Sequence, residues 1–497
     1  MDKITGFKLN RKIEFSKKTI VSLVISLVYA VLLIILVAHH EPFCDEINVY
    51  MSIRNFDFIS SFENIAKNPN SLTFYAMMFP LAKSGVSFRT IQVLCALFSV
   101  PAVFIINRFS PLGTFVNLII TFSAPMLYFF PVIARPYCMI PAVLIAGCFA
   151  YSKMSLNTEF RKTYCLVAAF LVFAVSQIHI IMFGFAASLF LLFLYEIKTS
   201  GRKILNSEKI SVIVMILSLC AVMAQAFIAL KSNYLFSYDS VISAKRIMYS
   251  FFSCFFDPSQ AGYNVGILPL NCPTAQFLAV ISAVLLVVST AYIFLVRIRY
   301  GLAFLLSVLF PVYIYLNSYP VIMANRVYMI HFVFLFFLWL AVSEKGLSEN
   351  IMRTGKILTA VLFALTIPSG IIFARTDYSG YFSAGRNMAD FIEHNIPDDG
   401  KTMIFAEQPW QGLPVAYYLK NRPIYNIDGH RLIRIENYLP QNNIREITQD
   451  KNFMFVIVSS NHIDTRKMLE SEGFHLMYTT PPAIMPDEAY SLYAVRL

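Results

Sequence analysis

Residues 39–50 read HHEPFCDEINVY, and they follow Thr19–Ala38, twenty residues without one charge. Two histidines and three carboxylates, Glu41, Asp45 and Glu46, therefore stand where an apolar helix leaves the hydrocarbon. A carboxylate at that boundary is partly desolvated, which raises its basicity and suits it to take a proton from a hydroxyl. Asp45 ahead of the helical stretch EINVYMSIRN equally suits a helix N-terminus, where a carboxylate satisfies backbone N–H groups.

The basic marks are two arginines. FPVIARPYCMIP sets Arg135 on a turn between two apolar segments, and SYPVIMANRVYMI sets Arg326 at the start of another, with Tyr137 and Tyr328 two residues beyond each. Arg in such places snorkels to head groups, and it also clamps a phosphate through parallel hydrogen bonds. Arg54 and Arg89, near the ends of the first long loop, are further substrate-binding candidates. His39, His40 and His179 could ligate a metal with Asp45 or Glu46, but the chain has no HxxxH or CxxC, and no metal or cofactor is expected. His39 and His40 read as interfacial residues; His179, beside Gln177, reads as a hydrogen-bonded core residue that also lies near the proposed substrate side.

Elements must hold these marks at one face. The chain of 497 residues is 57% hydrophobic and 14% charged, too apolar for a soluble protein. Apolar stretches long enough to cross a bilayer are expected near 19–38, 88–107, 114–130, 135–152, 163–179, 181–197, 210–230, 274–296, 301–318, 326–343 and 355–374, eleven in all. The break between the fifth and sixth is placed around QIHIIMFG. The first is an anchor, because its apolar core exceeds a signal sequence and no small-residue cleavage site follows.

Residues 1–374 hold 28 Lys and Arg against 14 Asp and Glu, whereas residues 375–497 hold 12 against 15. With the N-terminus cytoplasmic, 19 of those 28 basic residues fall in short inside segments, as the positive-inside rule requires. This accounts for the net charge of +11 and leaves no basic surface for nucleic acid. An odd span count then puts residues 375–497 outside, in the extracytoplasmic space of a plasma (inner) membrane. The exterior segments of the membrane part carry seven acids, Glu41, Asp45, Glu46, Asp57, Glu63, Asp239 and Asp257, and three of them lie in the opening motif.

The fold class that follows is an all-α polytopic membrane domain, 1–374, with exterior loops 39–88 and 231–273, followed by a small exterior α/β domain, 375–497. Helices are expected at FSAGRNMADFIEHN, LPVAYYLK and HIDTRKMLESEGF, and strands at TMIFAE, FMFVIVSS, HLMYTT and YSLYAVRL. No Gly-rich phosphate loop interrupts them. The loops are rich in aromatics and are expected to form interfacial helices. Cys254 and Cys272 share the second loop and could pair in an oxidising compartment; the other cysteines read as small apolar residues.

The order of these marks resembles the GT-C superfamily of membrane glycosyltransferases, in the branch of the protein O-mannosyltransferases and the lipid A aminoarabinose transferase. The residues that carry the resemblance are Asp45–Glu46 after the first span, NPNSLTFY at 68–75 ending in Tyr75, Arg89 in SFRTIQVL, and Arg135 with Tyr137 in ARPYCM. It covers the first 180 residues or so by motif and the remainder by architecture. The chain departs from the family in having NPNS where a Pro-Pro is usual, and in lacking a second acid before RPY.

The resemblance implies transfer of one sugar, hexose or pentose, from a polyprenyl-phosphate carrier to a hydroxyl of a glycan, lipid or protein on the outer face of the bilayer. Asp45 would be the general base of an inverting displacement, Glu46 would orient it or the sugar, and Arg135 and Arg326 would hold the phosphate. Two other readings share parts of the pattern. A polymerase or ligase of lipid-linked oligosaccharides shares the carrier and the side, though its members rarely carry such a soluble tail. A lipid-linked sugar transporter would show midplane acids and repeated halves, which are not seen here.

Overall fold

The computed structural model describes residues 16–66, 72–154, 156, 159–231, 244–261, 263–318, 324–344, 347–419, 422–426 and 451–497. The Asn68-Pro69 part of the NPNSLTFY motif lies outside them. Among the described residues, eight helices are long and apolar enough to cross a membrane: Lys17–His39, Phe88–Phe109, Arg161–Ile178, Ile180–Thr199, Asn206–Ile228, Pro273–Val296, Arg326–Ser343 and Glu349–Ser379. The chain is a multi-pass membrane protein. Its helices expose large apolar side chains such as Leu27, Phe115, Val287 and Leu295, which only hydrocarbon would cover without penalty.

The other three expected spans are shorter or interrupted. Segment 114–130 is helical over Thr114–Thr121 and then widens into a π-helical turn, Pro125–Phe129. Segment 135–152 begins with a 3₁₀ turn, Pro136–Cys138, before the helix Met139–Lys153, and 301–318 belongs to the helix Ile298–Ser318, which carries Pro311 inside it. Proline is the common cause, since it removes a backbone donor and clashes with the preceding turn. The expected break in the long uncharged run is real: helix Arg161–Ile178 ends at His179, and a 3₁₀ turn, Ile180–Met182, leads into Phe183–Thr199.

Both long loops contain helices, as their aromatic content implied. The first holds Cys44–Asn55, Phe58–Ala66 and Leu72–Lys83; the second holds Ala244–Ser253 and a 3₁₀ turn at Pro258–Ala261. The disulfide open to Cys254 and Cys272 does not form. Cys254 is buried near Phe251 and Phe255, whereas the Cys272 sulfur accepts the Ala275 N–H and caps the next helix.

The C-terminal segment folds as its alternation predicts, around a five-stranded sheet in the order β2-β1-β3-β5-β4. The strands are β1 (Thr402–Ala406), β2 (Tyr425–Asn426), β3 (Phe453–Ser459), β4 (His475–Thr479) and β5 (Tyr490–Arg496). Strand β1 runs parallel to β2 and β3, and β5 runs antiparallel to β3 and β4. Helices Gly385–Asn395 and Pro409–Tyr418 supply apolar residues to its core, among them Met388, Ile392 and Val415.

One close approach fixes the last span against the π-helical turn. A Cβ added to Gly370 would lie 2.7 Å from the Ala124 Cα, and the Ala124 N–H donates to Thr366 Oγ1 at 3.0 Å. The last span thus lies backbone to backbone against the π-helical turn, a contact open to glycine alone. Gly370→Ala is expected to cost about 1–3 kcal/mol through overpacking, measurable as a lower midpoint of heat-induced aggregation in detergent. An unchanged midpoint would show that the two backbones can part freely.

Candidate active site

One end of the helical body gathers most of the marks, and their placement starts from local sequence. Helix Cys44–Asn55 begins directly after Pro42-Phe43, with Asp45 and Glu46 in its first turn. Successive helical residues point about 100° apart, so the two neighbouring acids have different fates. Glu46 is 1% exposed, while the Asp45 side chain keeps 31% of its surface.

Glu46 is fully engaged. Its Oε2 accepts the Phe43 N–H at 3.2 Å, half of a capping box, and takes a hydrogen bond from His40 Nε2 at 3.0 Å. Its Oε1 accepts the Ala134 N–H at 2.6 Å. His40 then bonds through Nδ1 to Asp377 Oδ2 at 2.7 Å, and the same oxygen accepts the Tyr128 hydroxyl at 2.7 Å. Asp377 belongs to the helix Ile367–Ser379, which carries the last span past the boundary expected at 374. His40 is therefore not the interfacial residue the sequence suggested; it is completely buried and bridges two carboxylates. Burial alone would lower its pKa, but Asp377 and Glu46 outweigh it and push it up to about 10.

Arg135 reaches Asp45 from the turn after the π-helical segment. The following Pro136 favours an extended Arg135, which has φ −120° and ψ 167°, and this throws the side chain outward before the 3₁₀ turn begins. Its Nη1 donates to the Asp45 backbone oxygen at 2.8 Å, and its Nη2 lies 3.3 Å from Asp45 Oδ2. Arg326, on the first turn of the span Arg326–Ser343, donates through Nε to the Tyr137 hydroxyl at 3.3 Å. The Tyr137 ring packs against His179 at 5.3 Å, and both arginines lie within electrostatic range of His179 and of each other. Asp45, Arg135, Tyr137, His179 and Arg326 thus form one cluster built from four separate elements, Arg135 and Tyr137 sharing one turn.

The remaining candidates sit apart from that cluster. Arg89 donates to the backbone oxygens of Val37 and His40, the latter at 2.6 Å, and so caps the C-terminal carbonyls of the first span. Arg54 is exposed and donates to the Tyr50 hydroxyl at 3.3 Å, while the buried Tyr75 donates to the Phe58 carbonyl at 3.4 Å; both serve the loop helices. Tyr328 is buried with its ring against Phe129 and His331, inside the aromatic core.

Three contributors were not singled out in the sequence. Asp377 closes the His40 bridge, Tyr128 supports it, and Glu488, from the C-terminal unit, accepts the Cys44 N–H at 2.9 Å on the very turn that carries Asp45. Glu488 is 1% exposed, and burial pushes its carboxyl up to about 8. No local pattern marks these residues, because each is defined by a partner more than 200 positions away.

No protein-family model matches this sequence, and no curated protein matches it either. Its structure, however, is similar to two crystal structures of ArnT from Cupriavidus metallidurans, one in the apo state and one bound to undecaprenyl phosphate. Each comparison has a TM-score of 0.52 and covers 96% of this chain and 97% of the other, at 10% and 11% sequence identity respectively. The chain therefore shares its fold, over nearly its whole length, with these two ArnT structures.

Removing the bridge leaves Glu46 and Asp377 as buried carboxylates with no cation between them. His40→Ala is expected to cost about 3–5 kcal/mol, read as loss of monodisperse protein on size exclusion after mild heating. The pH dependence has a definite sign. The folded pKa of His40 lies above its unfolded value, so its contribution is complete below about pH 6.5 and is lost as pH rises through about 10. The midpoint of wild-type thermal unfolding should fall across that window, and His40→Gln should flatten the fall; a parallel decline in both would assign the effect elsewhere.

Proposed function

We propose that this chain is a polyprenyl-phosphate-dependent glycosyltransferase that moves a monosaccharide, hexose or pentose, to an acceptor hydroxyl on a glycan, lipid or protein. The observation that carries the reading is the Asp45–Arg135–Tyr137–Arg326 cluster at one end of a GT-C fold. Arg135 and Arg326 lie within electrostatic range of each other, and guanidinium groups so placed suit the parallel hydrogen bonds that a phosphate accepts. A lipid phosphate supplies such oxygens where the head group of a membrane lipid lies. One of the ArnT structures of the same fold is bound to undecaprenyl phosphate, a lipid of this class.

In the reaction, the acceptor oxygen forms a bond to the anomeric carbon while the bond from that carbon to the phosphate oxygen breaks. Asp45 takes the hydroxyl proton, and the electron pair leaves with the polyprenyl phosphate. A phosphate is a weakly basic leaving group, so no acid need protonate it, and Arg326 with Arg135 stabilises the charge that develops on it. Attack opposite the phosphate inverts the anomeric centre. Glu46, wholly engaged by His40, Phe43 and Ala134, acts by orienting the turn that presents Asp45. Asp45 is already oriented by Arg135 through its backbone and its side chain, so the base is positioned before substrate arrives.

The membrane orientation belongs to the same proposal: N-terminus in the cytoplasm, active-site end and C-terminal unit in the extracytoplasmic space of a plasma (inner) membrane. The lysines and arginines of the short loops at the opposite end support it. A cysteine placed at an exposed position such as Glu472 should label with an impermeant maleimide from outside intact cells. Labelling only after lysis would reverse the whole arrangement.

Transfer from a polyprenyl-phosphate monosaccharide, assayed in detergent, is the direct test. Asp45→Asn should lose about 10²–10⁴-fold in kcat, the worth of a positioned general base. Arg326→Ala should raise the KM for the lipid donor by roughly tenfold or more, the worth of one charge-assisted hydrogen bond. Full activity of Asp45→Asn would eliminate Asp45 as the base.

A further inference from the structure

A second polar cavity, of about 320 Å³, lies at the exterior face between the helical body and the C-terminal unit. Its wall combines Arg89 and Gln92 from the helix Phe88–Leu97, Arg386 from Gly385–Asn395, and Tyr417 and Tyr418 from Pro409–Tyr418. The volume is at the lower end of small-molecule sites, which run from roughly 300 to 1,000 Å³, and suits one ring. Gln92 is completely buried at this wall, and neither its amide oxygen nor its amide nitrogen has a hydrogen-bond partner among the described residues. Beside it Glu41, electrostatically coupled to Arg386, Arg89 and Tyr418, leaves Oε2 without a partner. Buried polar atoms of this kind are costly unless something satisfies them, and an amide offers two donors and two acceptor sites to neighbouring hydroxyls.

Asp390 also lines the cavity and lies 3.9 Å from Arg386, and Arg89 is engaged by the carbonyls of Val37 and His40. Burial pushes Glu41 up to about 7, so near neutrality it is as much a hydroxyl donor as an anion. The Tyr417 ring is held edge-on to Tyr50 and Phe88 at 6.1 and 6.3 Å, and the Tyr418 ring stands 5.0 Å from it. Aromatic faces beside an amide and a carboxyl favour a ring with apolar C–H faces and a rim of hydroxyls over an anion or a hydrocarbon.

We infer that this cavity, bounded by Gln92, Asp390, Tyr417 and Tyr418, binds an uncharged saccharide unit and, resting on the transferase reading above, holds the acceptor as a glycan. Pro42 also lines the cavity, three residues before Asp45, so a sugar seated here is presented from the side of the catalytic carboxylate. The two arginines contribute hydrogen-bond donors at the rim rather than net charge.

Saturation-transfer NMR on the full-length protein in detergent tests this directly, with the methyl glycosides of glucose, galactose, mannose and N-acetylglucosamine as probes and methyl glucuronide as the charged counterpart. At least one uncharged glycoside should receive saturation from the wild type. The signal should fall about fivefold or more in Gln92→Leu, the worth of roughly 1 kcal/mol of hydrogen bonding. Tyr417→Ala, at the half-buried rim, should lower it likewise and decides the matter if Gln92→Leu does not fold. Binding of none of the probes, of the glucuronide alone, or undiminished binding in the folded variants would overturn the inference. Sugar transfer that proceeds without Gln92-dependent binding would sink the cavity and spare the transferase; Gln92-dependent binding in a protein that transfers nothing would do the reverse.

Discussion

A protonated histidine between two carboxylates, buried at the end of the first span, is the interaction on which the active-site end of the molecule depends. His40 ends the first span, Glu46 starts the loop helix, and Asp377 lies near the end of the last span, so one imidazolium joins elements 337 residues apart in the chain. Ion pairs removed from water are costly unless their remaining lone pairs are satisfied. Here Phe43 and Ala134 satisfy Glu46 and Tyr128 shares Asp377 Oδ2, while Asp377 Oδ1 is buried with no partner among the described residues. The π-helical turn Pro125–Phe129 makes the Tyr128 contact possible, because it departs from ordinary helical spacing just where Tyr128 must reach Asp377. The cost of burying Glu46 is offset by three fixed contacts, and the benefit falls on its neighbour, because Asp45 is carried on the turn they hold.

The C-terminal unit is tied to that same turn. The segment between β4 and β5 is its point of contact: Glu488 accepts the Cys44 N–H, the Ile484 carbonyl accepts the Asn264 N–H at 3.0 Å, and the Ala483 carbonyl accepts the Asn264 side chain at 3.0 Å. The last span feeds directly into it, with Ile484 donating to the Tyr381 carbonyl at 3.0 Å and Ala384 donating to the Glu488 carbonyl at 2.9 Å. A small mixed sheet has thus placed one connecting segment against the first loop, the second loop and the final helix together. In chemical terms the unit caps the N-terminus of the helix that bears Asp45, where a carboxyl is favoured by the helix dipole.

The broad architecture was legible because hydropathy and alternation are local signals. Strands 402–407, 453–460, 475–480 and 490–497 were all readable from runs such as FMFVIVSS, and the break at QIHIIMFG from polar residues inside an apolar run. The short strand Tyr425–Asn426 was not, since two residues have no period. Interrupted spans were misread as continuous because hydropathy averages over Pro125 and Pro136, whose effect is on backbone hydrogen bonding. The adjacency of Asp45, Arg135 and Arg326 was inferable from their shared side of the membrane and a resemblance to GT-C proteins. The fate of Glu46 and His40 was not, because a buried ion bridge is decided by Asp377, a residue that in sequence reads as the first acid of a soluble tail.

Among the described residues, the three acids of the opening motif have separate fates. Glu46 is consumed by the His40 bridge and Glu41 lies within electrostatic range of Arg386 and Arg89, which leaves Asp45 on the side of Arg135 and Arg326. Arg135 is tied to Asp45 through both its backbone oxygen and its side chain, whereas Arg326 is fixed on the Tyr137 hydroxyl, so the two guanidinium groups are held on different supports. In the reaction proposed above the division of labour follows from that difference: one carboxylate to receive a proton, one guanidinium to hold that carboxylate, and one to draw the departing phosphate away.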